Sequence, residues 1–251
     1  MHNKTEITMA ITLTNIPAKP RIFVLTGAGI SAESGLATFR GEDGLWEGHR
    51  VEDVATPEAY EQNPSLVHTF YNLRRTQLTS DSVNPNAAHR ALAALQSVAN
   101  ERLNIVTQNV DDLHDRLNPN VLHMHGELLK SFCTKCQFTF EHNNNISPQT
   151  RCQQCNAAGT TRPDIVWFGE MPKHMAQIDT YLGQCDVFIA IGTSGHVYPA
   201  AGFVQQAKYH GALTIEVNID SSEISPAFDQ HYIGTATAQV PLLVKALTAH
   251  Y

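Results

Sequence analysis

Two histidines, a glycine, an acid and two cysteines share one short stretch, HMHGELLKSFCTKC, from His123 to Cys136. Histidine carries protons or binds metals and cysteine binds metals, so the stretch fits a metal site, a catalytic base, or both side by side. A second cysteine pair narrows the choice. Cys133-x-x-Cys136 and Cys152-x-x-Cys155 flank residues 137–151, a spacing within the zinc-ribbon pattern. Each pair can chelate one side of a tetrahedral ion, and four thiolates close its coordination sphere. A closed site leaves no metal-bound water to activate, so the expected zinc is structural. Such an ion contributes roughly 10–16 kcal/mol to the folding of its module. His123 and His125 are then not needed as ligands, and at least one is available for proton transfer, which suits a side chain with an unperturbed pKa of about 6.5. Cys185 stands alone before an apolar run and reads as a buried apolar residue.

A second chemical signal lies in TGAGISAESG. Gly27-x-Gly29-x-x-Ala32 fits the dinucleotide fingerprint in its Gly/Ala form. Gly27 is expected to permit the turn, Gly29 to let backbone approach a pyrophosphate, and Ala32 to allow close helix packing. A helix N-terminus following the turn would offer its N–H groups to phosphate. Hydride-transfer dinucleotide domains also place an acid at the end of a second strand about twenty residues later. Glu47 and Glu52 fall in that range, but no apolar run precedes them. A nucleotide here must lie differently.

The elements that would position these residues alternate. Apolar runs at 21–26, 104–109, 186–193 and 212–219 read as buried strands. Continuous apolar strands imply a parallel sheet covered on both faces. Between them, PNAAHRALAALQSVANERL reads as a helix capped at Asn84 with proline in its first turn, and PAAGFVQQAKYHG as a helix from Pro199 to a stop at Gly211. PLLVKALTAH closes the chain as a helix. The pattern predicts an α/β, doubly wound sheet. Residues 41–82, with helical segments but no evident strand, and residues 125–162, with all four paired cysteines, break the rhythm. They read as two inserts forming a smaller helical and zinc-ribbon domain. Residues 21–40, 83–124 and 163–251 then form the Rossmann-like domain, and residues 1–20 a flexible leader in which Met9 is an alternative start.

Composition excludes several classes. The chain has 251 residues, 42% of them hydrophobic, enough for a substantial core. A formal charge of −7 argues against a general nucleic-acid or membrane-surface binder. No run reaches the length of a membrane-spanning helix, and the first twenty residues lack a signal peptide's charged start and apolar centre. With five cysteines, four in tight pairs, a reducing compartment is expected, and the cytoplasm is the expected location.

Taken in order, GAGISAESG, TFR, TQNVDDLH, HMHGELL, the two cysteine pairs, VWFGE, GTS and VN resemble the sirtuins, the NAD-dependent protein-lysine deacylases. The resemblance runs from Arg21 to the C-terminus. It implies a Rossmann-like domain and a smaller zinc domain, with NAD and an acyl-lysine peptide meeting between them. It also implies that NAD is consumed: nicotinamide leaves and the acyl group moves to ADP-ribose. By this resemblance His125 is the general base and His123 a packed strand residue. Asn109 orders the ribose and a nearby water, and Asp111 binds the nicotinamide carboxamide. NAD is further held by Gly27, Ala28, Gly29, Ser31, Ala32, Glu33, Phe39, Arg40, Trp46 and Gln108. Gly192, Thr193, Ser194, Asn218, Asp220 and Ala236 complete its adenosine and phosphate side. Val166, Trp167, Phe168, Gly169 and Glu170 are expected to add an extended substrate as a strand. Leu36, Ala37 and Thr38 stand where many sirtuins have Ile-Pro-Asp, and Val110 replaces an isoleucine.

Tyr71 and Arg74, in FYNLRRTQL, share a helix face and resemble the sirtuin branch that removes succinyl and malonyl groups. An arginine fork suits a terminal carboxylate. The expected products are nicotinamide, also an inhibitor, O-acyl-ADP-ribose and free lysine, with deacetylation as an additional activity. Competing readings are a mono-ADP-ribosyltransferase and a non-catalytic NAD-sensing zinc-ribbon protein.

Overall fold

The computed structural model describes residues 11, 13–14, 16–37, 45–46, 48–117 and 120–251, with only the backbone at 45 and 46. Its strands in chain order are β1 Ile22–Thr26, β2 Leu45–Trp46, β3 His49–Arg50, β4 Leu103–Thr107, β5 Val121–His123, β6 Gly126–Cys133, β7 Thr139–Glu141, β8 Thr161–Ile165, β9 Val187–Ile191, β10 Leu213–Asn218 and β11 Gln230–Ile233. The helices are α1 Val51–Val54, α2 Pro57–Gln62, α3 Pro64–Leu78, α4 Ala87–Ala99, α5 Met175–Leu182, α6 Phe203–Tyr209 and α7 Ala236–Thr248.

Six strands form one parallel sheet in the order β5-β4-β1-β9-β10-β11. Chain order therefore reverses between β1 and β9, the switch point where open α/β sheets bind ligands. Register brings the strand ends to one edge: Thr26 pairs with Thr107 and Ile191, and Thr107 with His123. The turns beginning at residues 27, 108, 124 and 192 leave the sheet side by side for that reason.

Both faces are covered, which explains the unbroken apolar strands. Val24, Ile105, Ile189 and Ile215 pack with Leu92 and Leu95 of α4 and Val240, Leu243 and Leu247 of α7. Phe23, Leu25 and Phe188 face Ile178 and Leu182 of α5 and Phe203 and Val204 of α6. Leu13 lies in the first of these cores, and Lys19 N–H donates to the His250 carbonyl at 2.9 Å. The described part of the expected leader is thus packed against the sheet domain. No helix among the described residues is long and apolar enough to cross a membrane.

Two helix starts differ from expectation. α4 is capped by Asn86, not Asn84: the Asn86 side chain accepts from Ala88 N at 2.9 Å, and Asn86 N donates to His89 Nδ1 at 3.3 Å. Asn86 Nδ2 also donates to Ile30 O and Ser34 Oγ, so the cap doubles as a tie to the glycine turn. The run from Pro199 begins as a 3-10 turn, Ala200–Gly202, before α6.

The smaller module has its own antiparallel sheet, β7-β6-β8. β8 crosses the boundary expected at residue 162 because it pairs with β6 as far as Ile165. The first insert carries a two-residue hairpin, β2 with β3, that no apolar run announced. Both inserts share one core: Val54, Val67, Phe70, Tyr71 and Leu78 pack with Leu128, Ile165 and Trp167. Arg75 closes the joint. It is buried and donates to the carbonyls of Lys130 at 2.8 Å, Asn144 at 3.0 Å and His142. Burial pulls its guanidinium down to about 10.

Candidate functional site at the switch point

The glycine turn is shaped by its neighbour across the switch point. A Cβ on Gly27 would lie 2.7 Å from the Gly192 carbonyl oxygen, and one on Gly29 would lie 2.6 Å from the Gly192 Cα. Gly29 N–H donates to Gly192 O at 2.9 Å. Gly27 has an ordinary φ of −122°, so close approach of the two turns, not a forbidden dihedral, demands glycine there. The expected helix after the turn is absent: residues 28–30 and 32–34 form two short 3-10 turns. Replacing Gly29 by alanine must push the turns apart, at a cost of about 1–3 kcal/mol by analogy with overpacking. A lowered thermal midpoint with weaker nucleotide binding is expected; undiminished affinity by calorimetry would detach this contact from the ligand site.

Hydrogen bonds weld the turn to the end of β4. Asn109 Nδ2 donates to Gly27 O at 3.1 Å and to Ser31 Oγ at 3.2 Å, and Ser31 Oγ donates to Asp111 Oδ2 at 3.0 Å. The other Asp111 oxygen accepts from Leu113 N. Asn109 and Asp111 are both 8% exposed. Burial raises the Asp111 carboxyl above its ordinary range, while the Leu113 and Ser31 bonds and the charge of His123 draw it back.

The two histidines of HMHG receive opposite environments. His125 Nδ1 donates to the Gln108 carbonyl at 3.0 Å. A carbonyl only accepts, so the neutral ring carries its proton on Nδ1 and presents an unprotonated Nε2. Burial holds this ring below the ordinary histidine value, against the raising effect of the Gln108 bond. His125 is therefore a neutral base at neutral pH. His123 Nε2 lies 2.8 Å from Asp115 Oδ2 and Nδ1 lies 3.3 Å from Asn109 O, so both ring nitrogens face acceptors. Burial opposes its charge, but the Asp115 bond and charge, with Glu127 and the Asn109 carbonyl, raise it overall.

Neither histidine joins the cysteines. Among the described residues, the metal-competent group is Cys133, Cys136, Cys152 and Cys155, whose Sγ atoms lie within 4.8 Å of one another. Cys133 and Cys155 are 3.7 Å apart and Cys136 and Cys152 3.6 Å. Zinc–thiolate bonds of about 2.3 Å give a tetrahedral edge of about 3.8 Å, so the four sulfurs fit a zinc ion. The two knuckles repeat each other. Gln137 and Asn156 adopt φ of 60° and 56°, and their N–H groups return to Cys133 O and Cys152 O at 2.8 and 3.0 Å. Cys185 is buried away from this group, its thiol pushed up to about 12 by burial.

On the adenosine side expected from the sequence, Asn218 Nδ2 donates to Thr193 O at 2.9 Å, joining the turn after β9 to the end of β10. Ser194 Oγ accepts from His196 N at 3.4 Å, and Asp220 is exposed. The Glu33 carboxylate accepts from Thr237 N at 3.1 Å and Thr237 Oγ1 at 2.6 Å. It anchors the start of α7, where Ala236 is buried. Phe39, Arg40 and the Trp46 side chain lie outside the described residues.

The VWFGE segment is more committed than a free strand edge. Val166 N donates to His125 O, Trp167 N to Glu170 Oε2, Phe168 N to Ala55 O and Glu170 N to Trp167 O. Trp167 is core, whereas Phe168 is 48% exposed. Arg162, which the sequence did not single out, grips Glu170 with both Nη atoms at 2.7 and 2.8 Å and stacks 3.4 Å over the Trp167 ring. Trp167 Nε1 then donates to Tyr71 OH at 2.9 Å. Arg74 donates to Phe70 O at 2.5 Å and lies 3.3 Å over the Phe70 ring. Tyr71 thereby connects to His125 through Trp167 and Val166, whereas Arg74 is held against Phe70. Asp115 also escaped sequence reading; its one signal was an acid four residues after Asp111, with no local partner.

The sequence pattern of the Sir2 family matches residues 27–199. A relative from Escherichia coli O6:H1 (strain CFT073), named NAD-dependent protein deacylase, is 54% identical over 230 residues, or 91% of this chain and 84% of its own length. A Pasteurella multocida (strain Pm70) protein of the same name is 54% identical over 222 residues, 88% of this chain and 95% of its own. Among solved structures, a Sir2 homologue in complex with NAD superposes with a TM-score of 0.82 at 37% identity, covering 93% of this chain and 92% of that one. A Sir2 protein bound to a myristoylated histone peptide gives 0.70 at 30% identity, covering 91% of each. With its switch-point turns, histidine pair and four-cysteine ribbon all inside or beside the matched region, this chain belongs to the Sir2 family.

Proposed function

We propose that this protein removes succinyl and malonyl groups, and also acetyl groups, from protein lysines at the expense of NAD, releasing nicotinamide, O-acyl-ADP-ribose and free lysine. The single observation that carries the catalytic part is the fixed tautomer of His125, whose Nε2 is unprotonated at the sheet edge where the glycine turn, Gln108, Asn109 and Asp111 converge. The close glycine packing leaves backbone, not side chains, at that edge, a surface suited to a nucleotide. Bound NAD supplies an electron-poor ribose carbon once nicotinamide departs. His125 then takes a proton from a ribose hydroxyl, Asn109 orders the sugar and water, and Asp111 holds the carboxamide. Nicotinamide, returning to that same place, is an inhibitor. The relatives' names support the deacylase reading. A single structural zinc holds the ribbon.

The acidic-acyl preference rests on Tyr71 and Arg74. An arginine fork beside a phenol suits the carboxylate that ends a succinyl or malonyl chain. A hydrogen bond to a charged group contributes roughly 1.5–3 kcal/mol, or about one to two powers of ten. Arg74→Met is expected to lower desuccinylation by about 10–100-fold while deacetylation of the matched peptide changes little. Equal losses on the two peptides would show that Arg74 does not read the acyl group. Nicotinamide release across a panel of acylated lysine peptides tests the whole reading.

A further inference from the structure

His123 does no chemistry in the mechanism above. It is 5% exposed, ends β5, and is separated from the base by Met124 alone. Its surroundings are nevertheless more exacting than a packed core position requires. Each ring nitrogen faces an atom that only accepts: a carboxylate oxygen on one side and a backbone carbonyl on the other. A neutral imidazole donates from one nitrogen only, so either neutral tautomer would set a lone pair against one of these oxygens. Only the doubly protonated ring satisfies both. One of the two oxygens belongs to Asn109, whose side chain holds Gly27 and Ser31.

We infer that His123 is a positioning residue for the Sir2 reaction: a buried imidazolium, locked between Asp115 and the Asn109 carbonyl, that fixes the Asn109–Asp111 segment and supplies a cation beside the Asp111 carboxylate. The charged groups around it are consistent with this. Asp115 and Glu127 favour the cation. Burial first disfavours the cations of His114 and His174; the charge of His89 on the first and of Lys173 on the second add to this, as does that of His123 on both. Asp111, pushed up by burial and Asp112, is drawn toward its ionised form by His123. Four acceptor and carboxylate groups thus surround the His123 ring, and its charge adds to the burial that keeps the two neighbouring histidines neutral.

The inference rests on the proposed function, because Asp111 matters to turnover only if it holds the nicotinamide carboxamide. Its signature is a pH dependence that simple misfolding would not produce. Without the cation, the Asp111 carboxyl titrates at higher pH. The protonated form then gains share as pH falls, so the loss is largest in acid and shrinks as pH rises. With a one-unit displacement, the loss in nicotinamide release per NAD encounter (kcat/KM for NAD) in His123→Gln should approach about tenfold on the acid limb, below both titrations, and vanish above them. Asp115→Asn keeps an acceptor for Nε2 but removes the carboxylate charge, and should displace the profile in the same direction by less.

The experiment measures nicotinamide release against NAD concentration across pH, at saturating acyl peptide, for the wild type and both variants, with the thermal midpoint of each. An acid limb displaced upward supports the inference. A loss of equal size at every pH, following a lowered thermal midpoint, overturns it and leaves His123 a packing residue. If His123→Gln fails to fold, Asp115→Asn decides: a displaced limb supports the inference and a superimposed profile overturns it. A wild type that releases no nicotinamide with any acyl peptide overturns the proposed function and this inference together, whereas normal wild-type turnover with superimposed profiles overturns this inference alone.

Discussion

Replacing His125 by alanine is expected to lower the release of free lysine by about 10²–10⁴-fold, the usual contribution of a positioned general base, with zinc still bound. The geometry says why the loss should be specific. Among the described residues the His125 ring makes one hydrogen bond, to the Gln108 carbonyl at 3.0 Å. Losing such a bond costs about 1 kcal/mol of stability, a fraction of the roughly 5–15 kcal/mol typical of a folded domain. Unfolding on that scale cannot account for a loss of several powers of ten. Nor is His123 placed to substitute as the base, because each of its ring nitrogens is already taken up by an acceptor, Asp115 Oδ2 or the Asn109 carbonyl. The same environment fixes a pH dependence in the wild type. A base must be unprotonated, and burial lowers the His125 value. Activity should therefore persist below the ordinary histidine range and fall only as pH drops through the lowered value. Metal analysis and peptide turnover on the purified variant test both halves. Retained turnover would move the base elsewhere, and lost zinc would make His125 a structural residue.

What the sequence disclosed and what it withheld divide along the range of the interactions. Cys133-x-x-Cys136 and Cys152-x-x-Cys155 were readable because the ligand geometry is local to each knuckle, down to the positive φ just after each pair. The strands of the parallel sheet were readable because burial on both faces leaves no alternation to hide them. Residues whose role depends on a distant backbone were not. Arg74 and Arg75 are adjacent and chemically identical, yet successive helix positions point about 100° apart. Arg75 turns inward to three carbonyls of the other insert, while Arg74 lies over Phe70. Gly27 and Gly29 were found by motif, but for an incomplete reason, since the constraint comes from Gly192, far along the chain. The helix expected after them dissolved into 3-10 turns because Asn86, Asn109 and Asp111 take up the polar groups of residues 27–34. No pattern within ten residues could announce that.

Removing zinc from the ribbon should have the largest effect on stability, and one that reaches α3. The apolar core around the cysteines is small: Phe140 packs with Cys133, Cys152 and Cys155. Full burial of one such aromatic is worth roughly 1.5–3 kcal/mol, against about 10–16 kcal/mol for a structural zinc. The metal, not the core, must hold residues 133–160 folded. The break then has a defined route. Thr160 Oγ1 lies 3.3 Å from Cys133 Sγ, and the next residue, Thr161, accepts through its carbonyl from Tyr60 OH and a His68 ring nitrogen, each at 3.0 Å. The Arg75 bracket ends on His142 and Asn144 within the same module. Releasing these contacts frees one side of α3, which carries Tyr71 and Arg74. After chelation at neutral pH, amides of residues 133–160 and then of α3 should exchange with solvent, while β1 and β9 stay protected in the sheet core. Desuccinylation should fall together with deacetylation, in contrast to the selective effect of Arg74→Met. Acid should act in the same direction as chelator, since thiolates must lose the metal to take up protons. Hydrogen exchange with and without chelator reads this outcome. Unchanged protection across 133–160 would mean that the ribbon holds itself, and that the four sulfurs, though spaced for zinc, do not depend on it.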